Sequence, residues 1–452
     1  ERGVDGFPNS RRIQEAIDSE LWNPFEPSSN SQESLDYIET TTTRVGKSTN
    51  KSFDIKFSGP LMEMNHGDLM LALGAEYREE SILDNPDDQY IRGDIFGTEA
   101  TQAKGSRDNT SVFAEVAIPV LDELEVQVAV RHEDYSDFGT TTDPKVSFLW
   151  APTDDLSVRG SYGTAFRAPS LHQLGLGRTD ESPNLVDTLR CEAIGNQDRA
   201  CEPQEYTLVY EGNPDLGPEE STSYNLGVIY NLSDSLNFSV DYYNYEIEDV
   251  ITADGQFLMD TQGLNPEIVQ RIPTQIEGDP GQVVQLFDTF RNIGNIDTSG
   301  LDIDVRYNLE TDVGQFKFGY VLNYVLEYTD SRPNGEGGMR IALEEGGFEQ
   351  PEMRWTASVD WVFDDYSATM AVNYIDDFEQ ESSLNIDKKV DSMTTVDASF
   401  NYFGIENIVL TVGATNLFNE EPPFAYHDFM GFVVNVHSGQ GRFTYAQATY
   451  KF

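Results

Sequence analysis

Hydrophobic and polar residues alternate with a period of two over long tracts of this chain, from about residue 52 to its end. In LDIDVRYNL, Leu301, Ile303, Val305, Tyr307 and Leu309 fall on one face, and Asp302, Asp304, Arg306 and Asn308 on the other. LNFSVDYYN sets Leu236, Phe238, Val240 and Tyr242 against Asn237, Ser239 and Asp241. LEVQVAVRH sets Val126, Val128 and Val130 against Glu125, Gln127 and Arg131. Successive side chains of a strand point to opposite faces, so each tract predicts a half-buried strand. About fifteen such tracts start near residues 52, 67, 108, 124, 142, 155, 220, 234, 299, 313, 351, 366, 393, 406 and 441.

The connections fall into two kinds. GPLMEMNHGD, PVLDEL, APTDDL, NLSDSL, LETDVG, VFDDYS and YFGIEN are tight, and most are rich in the Asp, Asn, Gly and Pro that suit reverse turns. Long polar stretches cover roughly 168–219, 249–298, 328–350, 379–392 and 417–440. Short turns at one end and long loops at the other is the asymmetry of a membrane β-barrel. Aromatic residues gather near strand ends (Tyr242, Tyr243, Tyr245; Tyr320, Tyr324, Tyr328; Trp355, Trp361; Tyr450, Phe452), as rings at a membrane–water boundary do. The competing fold is a large soluble β-sandwich or propeller with an aromatic core, and no blade-length repeat supports it.

Composition narrows the field. The net charge is −50, which excludes nonspecific nucleic-acid binding and leaves cations and neutral ligands open. The longest apolar run, Leu69 to Ala75, is far short of the ~20 residues of a membrane helix, whereas barrel strands never look strongly apolar. The opening ERGVDGFPNS has neither a basic nor an apolar leader segment, so a removed leader or an upstream segment is expected.

The chain ends on GRFTYAQATYKF, with Phe452 closing a strand whose Tyr450, Ala448 and Ala446 share a face. If that strand runs toward the periplasm, the tight turns are periplasmic and the long loops extracellular. Residues 1–51 then form an extracellular loop, with a short helix in NSRRIQEAIDSELWNPF capped by Ser10, and 52–452 form the barrel portion.

GSYGTAFRAPSLHQL, FRNIGNIDTSGLDIDVRYNL, LTVGATNLFNEEPPF and GRFTYAQATYKF, in this order, resemble recurring segments of TonB-dependent outer-membrane receptors. The marks are Phe166, Arg167, Ala168 and Pro169, then Asn416, Leu417 and Phe418, then the terminal Tyr450 and Phe452. The resemblance implies an all-β, antiparallel transmembrane barrel in a Gram-negative outer membrane. It further implies uptake of a scarce nutrient driven by the TonB energy-transducing complex acting on an N-terminal plug. The family's barrel has about 22 strands around a plug. This chain shows about fifteen strands and no plug, so it is expected to be the C-terminal part of a longer protein, or to be completed by another chain. Barrel-insertion machinery and outer-membrane lipids are further expected partners. Substrates in the family include ferric siderophores, haem, cobalamin and oligosaccharides. The acidic exterior suits a neutral glycan better than an anionic chelate, unless Arg340 or Arg291 lines the site. Pro169, which has no N–H, is expected to end its strand, and the FRAP segment to serve folding more than ligand contact. A passive porin or a loop-displaying barrel is the alternative, and a secreted glycan-binding β-protein the third.

Few residues suggest chemistry. Cys191 and Cys201 flank nine residues in one long loop, which in an oxidising compartment predicts a disulfide; a metal pair is the alternative, and no His stands near either. His66, His132, His172, His427 and His437 are scattered, and GEGG (335–338) lacks the strand–helix context of a phosphate loop, so neither an enzyme nor a resident cofactor is expected. DNPDDQY (84–90) and EDYSD (133–137) offer oxygen ligands for Ca²⁺ without EF-hand spacing. Trp22, Phe25, Phe424, Tyr426 and Phe429 are loop aromatics able to stack on a ligand, and Trp22, Phe424 and Tyr426 are the substrate-binding candidates.

Overall fold

The computed structural model describes residues 2–96, 101–333, 338–344, 346–347, 349–380, 389–426 and 430–452, without the side chains of 2–5, 340, 342 and 343. GEGG (335–338) therefore lies largely outside the described residues, as do His427, Phe429 and the side chain of Arg340.

Fifteen long strands carry the architecture: β1 (Glu39–Met64), β2 (Gly67–Pro86), β3 (Ala103–Leu121), β4 (Leu124–Tyr135), β5 (Gly139–Thr153), β6 (Leu156–Arg167), β7 (Glu219–Ser233), β8 (Leu236–Thr252), β9 (Arg291–Thr311), β10 (Gly314–Pro333), β11 (Met353–Phe363), β12 (Tyr366–Ile375), β13 (Met393–Ile405), β14 (Ile408–Thr415) and β15 (Phe443–Tyr450). Each pairs antiparallel with the next in chain order. Two short strands, Arg2–Pro8 on β1 and Met339–Glu344 on β10, complete a 17-stranded sheet.

The seven tight turns each leave two residues between strands, for example Asp122–Glu123 and Asp234–Ser235, so each fixes the register of its hairpin. Register keeps one apolar row running from strand to strand. Val240 faces Ile303, Ile303 faces Leu322, Leu322 faces Trp355 and Trp355 faces Tyr374. The neighbouring row is polar: Asp241, Asp302, Asn323, Arg354. A one-residue slip would exchange the two rows, which is why the pattern specifies the pairing. The apolar side is solvent-exposed in the isolated chain, with Phe53, Phe57 and Phe318 prominent. Among the described residues no helix is long and apolar enough to cross a membrane.

Three expectations change. β1 begins at Glu39, so residues 39–51 extend the first strand instead of belonging to the loop before it. That tract is rich in Thr, Ser and Lys on both faces, which hides the period-two signal. The helix Ser10–Asp18 is present, but Asn9 caps it by accepting from the Arg12 N–H, and Ser10 is its first residue. Tyr243 and Tyr245 share the polar face with Asp241, so only Tyr242 of that trio points to the apolar side.

Among the described residues, the outer edges of β1 beyond Arg44 and of β15 have no strand partner.

Candidate functional site

The long connections do not trail away from the sheet. Residues 168–218 and 253–290 fold onto one another as a single cap above β6–β9. Leu208–Glu211 pairs parallel with Leu286–Thr289, and Thr179–Glu181 and Val269–Ile272 extend this to a four-stranded sheet. Leu185, Tyr206, Leu208, Leu258, Met259, Val269, Val283 and Leu286 form its core, drawn from both connections.

Two buried ion pairs tie the connections together. Arg190 donates to Asp279 at 2.8 Å and to Asp198 at 3.0 Å, and Arg271 donates to both oxygens of Asp187 at 2.7 and 2.8 Å. Asp187 also caps the helix Thr188–Ile194. The Arg190 guanidinium holds the Asp279 carboxyl well below the usual carboxylate range, against the effect of burial. Burial pushes Asp288 up, with Arg291 opposing. Burial and the Glu181 carboxylate push the Tyr210 phenol up to about 12. Cys191 and Cys201 form the expected disulfide within this cap.

The cap is acidic, with 15 Asp and Glu against 4 Arg over 168–218 and 253–290. All four arginines are paired: Arg178 with Asp180, Arg190 with Asp279, Arg199 with Glu202 and Arg271 with Asp187. Arg291, next in sequence, pairs with Asp288 and lies over the Phe257 ring.

The FRAP segment is a rim fastening. Phe166 meets Tyr135 and Phe138 edge-on, at 5.8 and 6.0 Å between ring centres. Arg167 forms a two-pronged ion pair with the buried Glu219 directly opposite on β7, and Glu219 also accepts from the Ile251 N–H. Ala168 is half-buried. Pro169 is buried, ends β6, and its carbonyl accepts from Arg107 at 2.7 Å. Ser170 then starts the helix Leu171–Gly175 with a capping box to Gln173.

Asn416 is likewise a turn residue. Its backbone is left-handed, at φ 48°, and its side chain both donates to and accepts from the Glu420 backbone. Leu417 donates its N–H to the Val396 carbonyl, while Phe418 stands exposed. At the chain end Tyr450 sits opposite Ile408, and Phe452 is fully exposed.

Of the ligand candidates, Phe424 and Tyr426 come together: both are 61% exposed and meet edge-to-face at 4.7 Å. Trp22 is half-buried in the loop before β1. That loop stands at the β1 edge of the described sheet and Phe424 at the β15 edge, so the sheet does not bring the three together.

Along β5–β10 the strands bound a cavity of about 770 Å³ lined by Arg159, Asn225, Asp241, Tyr243, Asp302 and Asn323, among others, with no cap residue in its lining. The polar-face positions of Asp241 and Asp302 are legible in the alternation, whereas that of Tyr243 is not. In the acidic runs, Asp84 is bound by Arg44, and Asp87 accepts from Thr43 and Gln89. Glu133 is paired with Arg131, and Asp137 lies 3.6 Å from Arg107. Among the described residues no three His, Cys, Asp or Glu converge as metal ligands.

The family model for TonB-dependent receptor-like β-barrels matches residues 9–417. The vitamin B12 transporter BtuB of Photobacterium profundum is 23% identical over 367 residues, covering 80% of this chain and 46% of the relative. The probable TonB-dependent siderophore receptor PirA of Acinetobacter baumannii is 25% identical over 192 residues, covering 41% of this chain and 23% of the relative. The crystal structure of the A. baumannii siderophore receptor PirA superposes with a TM-score of 0.63 at 17% identity, over 100% of this chain and 59% of that one. A variant of the ferric enterobactin receptor PfeA of Pseudomonas aeruginosa gives 0.61 at 18% identity, over 92% and 55%. The chain thus spans at most about half the length of these curated relatives.

Proposed function

This chain belongs to the TonB-dependent receptor-like β-barrel family, and from that premise we propose that the whole protein is an active nutrient receptor. It binds a scarce nutrient at the cell surface and imports it with TonB-coupled energy. Its location is the outer membrane of a Gram-negative bacterium. Family members are transporters and receptors, and no enzymatic role is assigned.

The observation that carries this reading is the joint geometry of the sheet and its loops. An apolar row runs from strand to strand along one face, two-residue turns close one end, and a folded cap stands at the other. A structural barrel needs no cap built from two distant connections around a shared core.

The unpartnered edges of β1 and β15 support the companion proposal that about seven further strands and a plug complete the barrel. An exposed strand edge in lipid leaves every backbone group along it unsatisfied, which a membrane does not tolerate. The plug would carry the contact with TonB, while insertion machinery and lipids meet the barrel wall. Phe424, Tyr426 and Trp22 are the proposed ligand contacts, all carried by loops at the rim opposite the tight turns.

Because every cap arginine is already paired, the ligand is read as a neutral compound, such as an oligosaccharide or a corrinoid, before an anionic chelate. The test is uptake by cells expressing the full-length gene, with radiolabelled cyanocobalamin, ferric enterobactin and maltodextrin as probes, with and without TonB. Saturable uptake of one probe, abolished without TonB, is expected. Uptake that persists without TonB and never saturates identifies the second reading, a passive pore.

A further inference from the structure

Described residues of the connection before β13 and of the loop after β14 meet in a small apolar cluster. Phe378 and Val390 come from the connection, and Ala425, Val433 and Val436 from the loop. His437 lies against this cluster, 3% exposed, with its ring stacked on Phe378 at 5.8 Å and 17°. Among the described residues neither ring nitrogen has a hydrogen-bond partner. A neutral imidazole leaves one donor and one acceptor unsatisfied in such a place. An imidazolium would leave two donors and a full charge, which costs far more.

The charged surroundings do not offset that cost. Arg354 on β11 bears on the ring with the same sign as an imidazolium. On the connection, Asp376 accepts from Tyr374, and Asp377 is paired with Lys389 at 2.9 Å. Glu379, beside Phe378, is exposed. Glu349 accepts from Asn435, two residues before His437. No carboxylate among these hydrogen-bonds to the ring.

We propose that His437 is an acid-released clasp: protonation expels the ring from the Phe378 cluster and frees residues 430–437 from Phe378 and Val390. Burial first, and Arg354 second, hold the imidazole below its ordinary value of 6.5. The sign follows. A base whose value falls on folding takes up protons more readily in the open form, so the clasp is at full strength above 6.5 and weakens as pH falls below it. Ala425, fully buried in the cluster, sits between Phe424 and Tyr426, so release also displaces both exposed rings. That consequence for ligand capture rests on the reading above; the clasp itself does not.

The test is amide hydrogen exchange on the full-length protein in detergent at pH 7.5 and 5.0, with rates corrected for intrinsic pH dependence. Amides of 430–437, 378–380 and 389–390 should exchange up to about 30-fold faster at the lower pH, the ceiling for one imidazole of ordinary value released on opening. The cap segment 185–211 and strands β6–β9 serve as internal references and should not change. His437→Phe keeps the stack and His437→Gln keeps a polar group, and both remove the titration, so both should lose the acid effect. An acid effect absent from the wild type, or retained in either folded variant, overturns the proposal. Since the readout is exchange, failure here leaves TonB-dependent uptake standing, and the converse also holds.

Discussion

Arg159 on β6 and Asp241 on β8 form a two-pronged ion pair, both bonds at 2.8 Å, although a whole strand lies between them. The intervening residue is Gly227 of β7, which is in register with both. A Cβ on Gly227 would collide with the Asp241 carboxylate and crowd the Arg159 Nε. The same device recurs at Gly300 of β9, over which the Tyr243 hydroxyl accepts from Asn323 of β10.

Gly227→Ala should therefore uncouple Arg159 from Asp241 while the barrel still folds. The pair is half open to solvent, so its coupling is about 0.5–1 kcal/mol. A double-mutant cycle with Arg159→Met and Asp241→Asn, read by urea unfolding in lipid vesicles, should show that coupling in the Gly227 background. With Ala at 227 it should fall to near zero, and an unchanged coupling would refute the role of the glycine.

Val305 faces Tyr320 and Phe238 within the apolar row. Val305→Arg should cost roughly 2–4 kcal/mol in vesicles by placing a charge in lipid near the midplane. Asn308→Arg, on the opposite face, should change stability by less than about 0.5 kcal/mol. Equal costs for the two would contradict the facing.

Arg190→Met leaves the buried Asp279 and Asp187 region short of one cation. Removing one partner of a buried pair typically costs about 3–5 kcal/mol, here confined to the cap. Proteolysis of 185–211 should accelerate while the heat-modified mobility of the barrel stays the same. Because Asp279 is held below its ordinary 3.8, the pair's contribution is present above that value and is lost as pH falls through the lowered one. The wild-type cap should accordingly resist acid to a lower pH than Arg190→Met.

Arg167→Ala should loosen the rim without touching ligand affinity. It strands the buried Glu219, whose other contact is the Ile251 N–H. Arg167 itself is half exposed, so a loss of about 1–2 kcal/mol is expected from chemical unfolding. A selective loss of ligand binding instead would make Arg167 a contact residue.

Phe424→Ala and Tyr426→Ala carry the opposite expectation. Both rings are exposed, so each change should leave stability within about 0.5 kcal/mol. Titration with whichever probe is imported should show weaker binding in both. Unaltered affinity in both would remove these rings from the site.

Much of this was legible in one dimension. All fifteen strands and all seven two-residue turns follow from alternation and turn chemistry, because a strand with one apolar face must repeat every second residue. The disulfide followed from two cysteines in one loop. Where both faces are polar, as in Glu39–Lys51, the period disappears and the strand end was misplaced.

The sequence alone determined the fifteen long strands, their alternating faces and the strand break at Pro169, since these are local consequences of side-chain alternation and a missing N–H. Only the tertiary structure decided what the long connections do. That Leu208 lies beside Leu286, Arg190 against Asp279 and His437 against Phe378 depends on contacts between segments tens of residues apart. No periodicity encodes such contacts, because each exists only after the sheet has brought the strand ends that carry those segments to one rim.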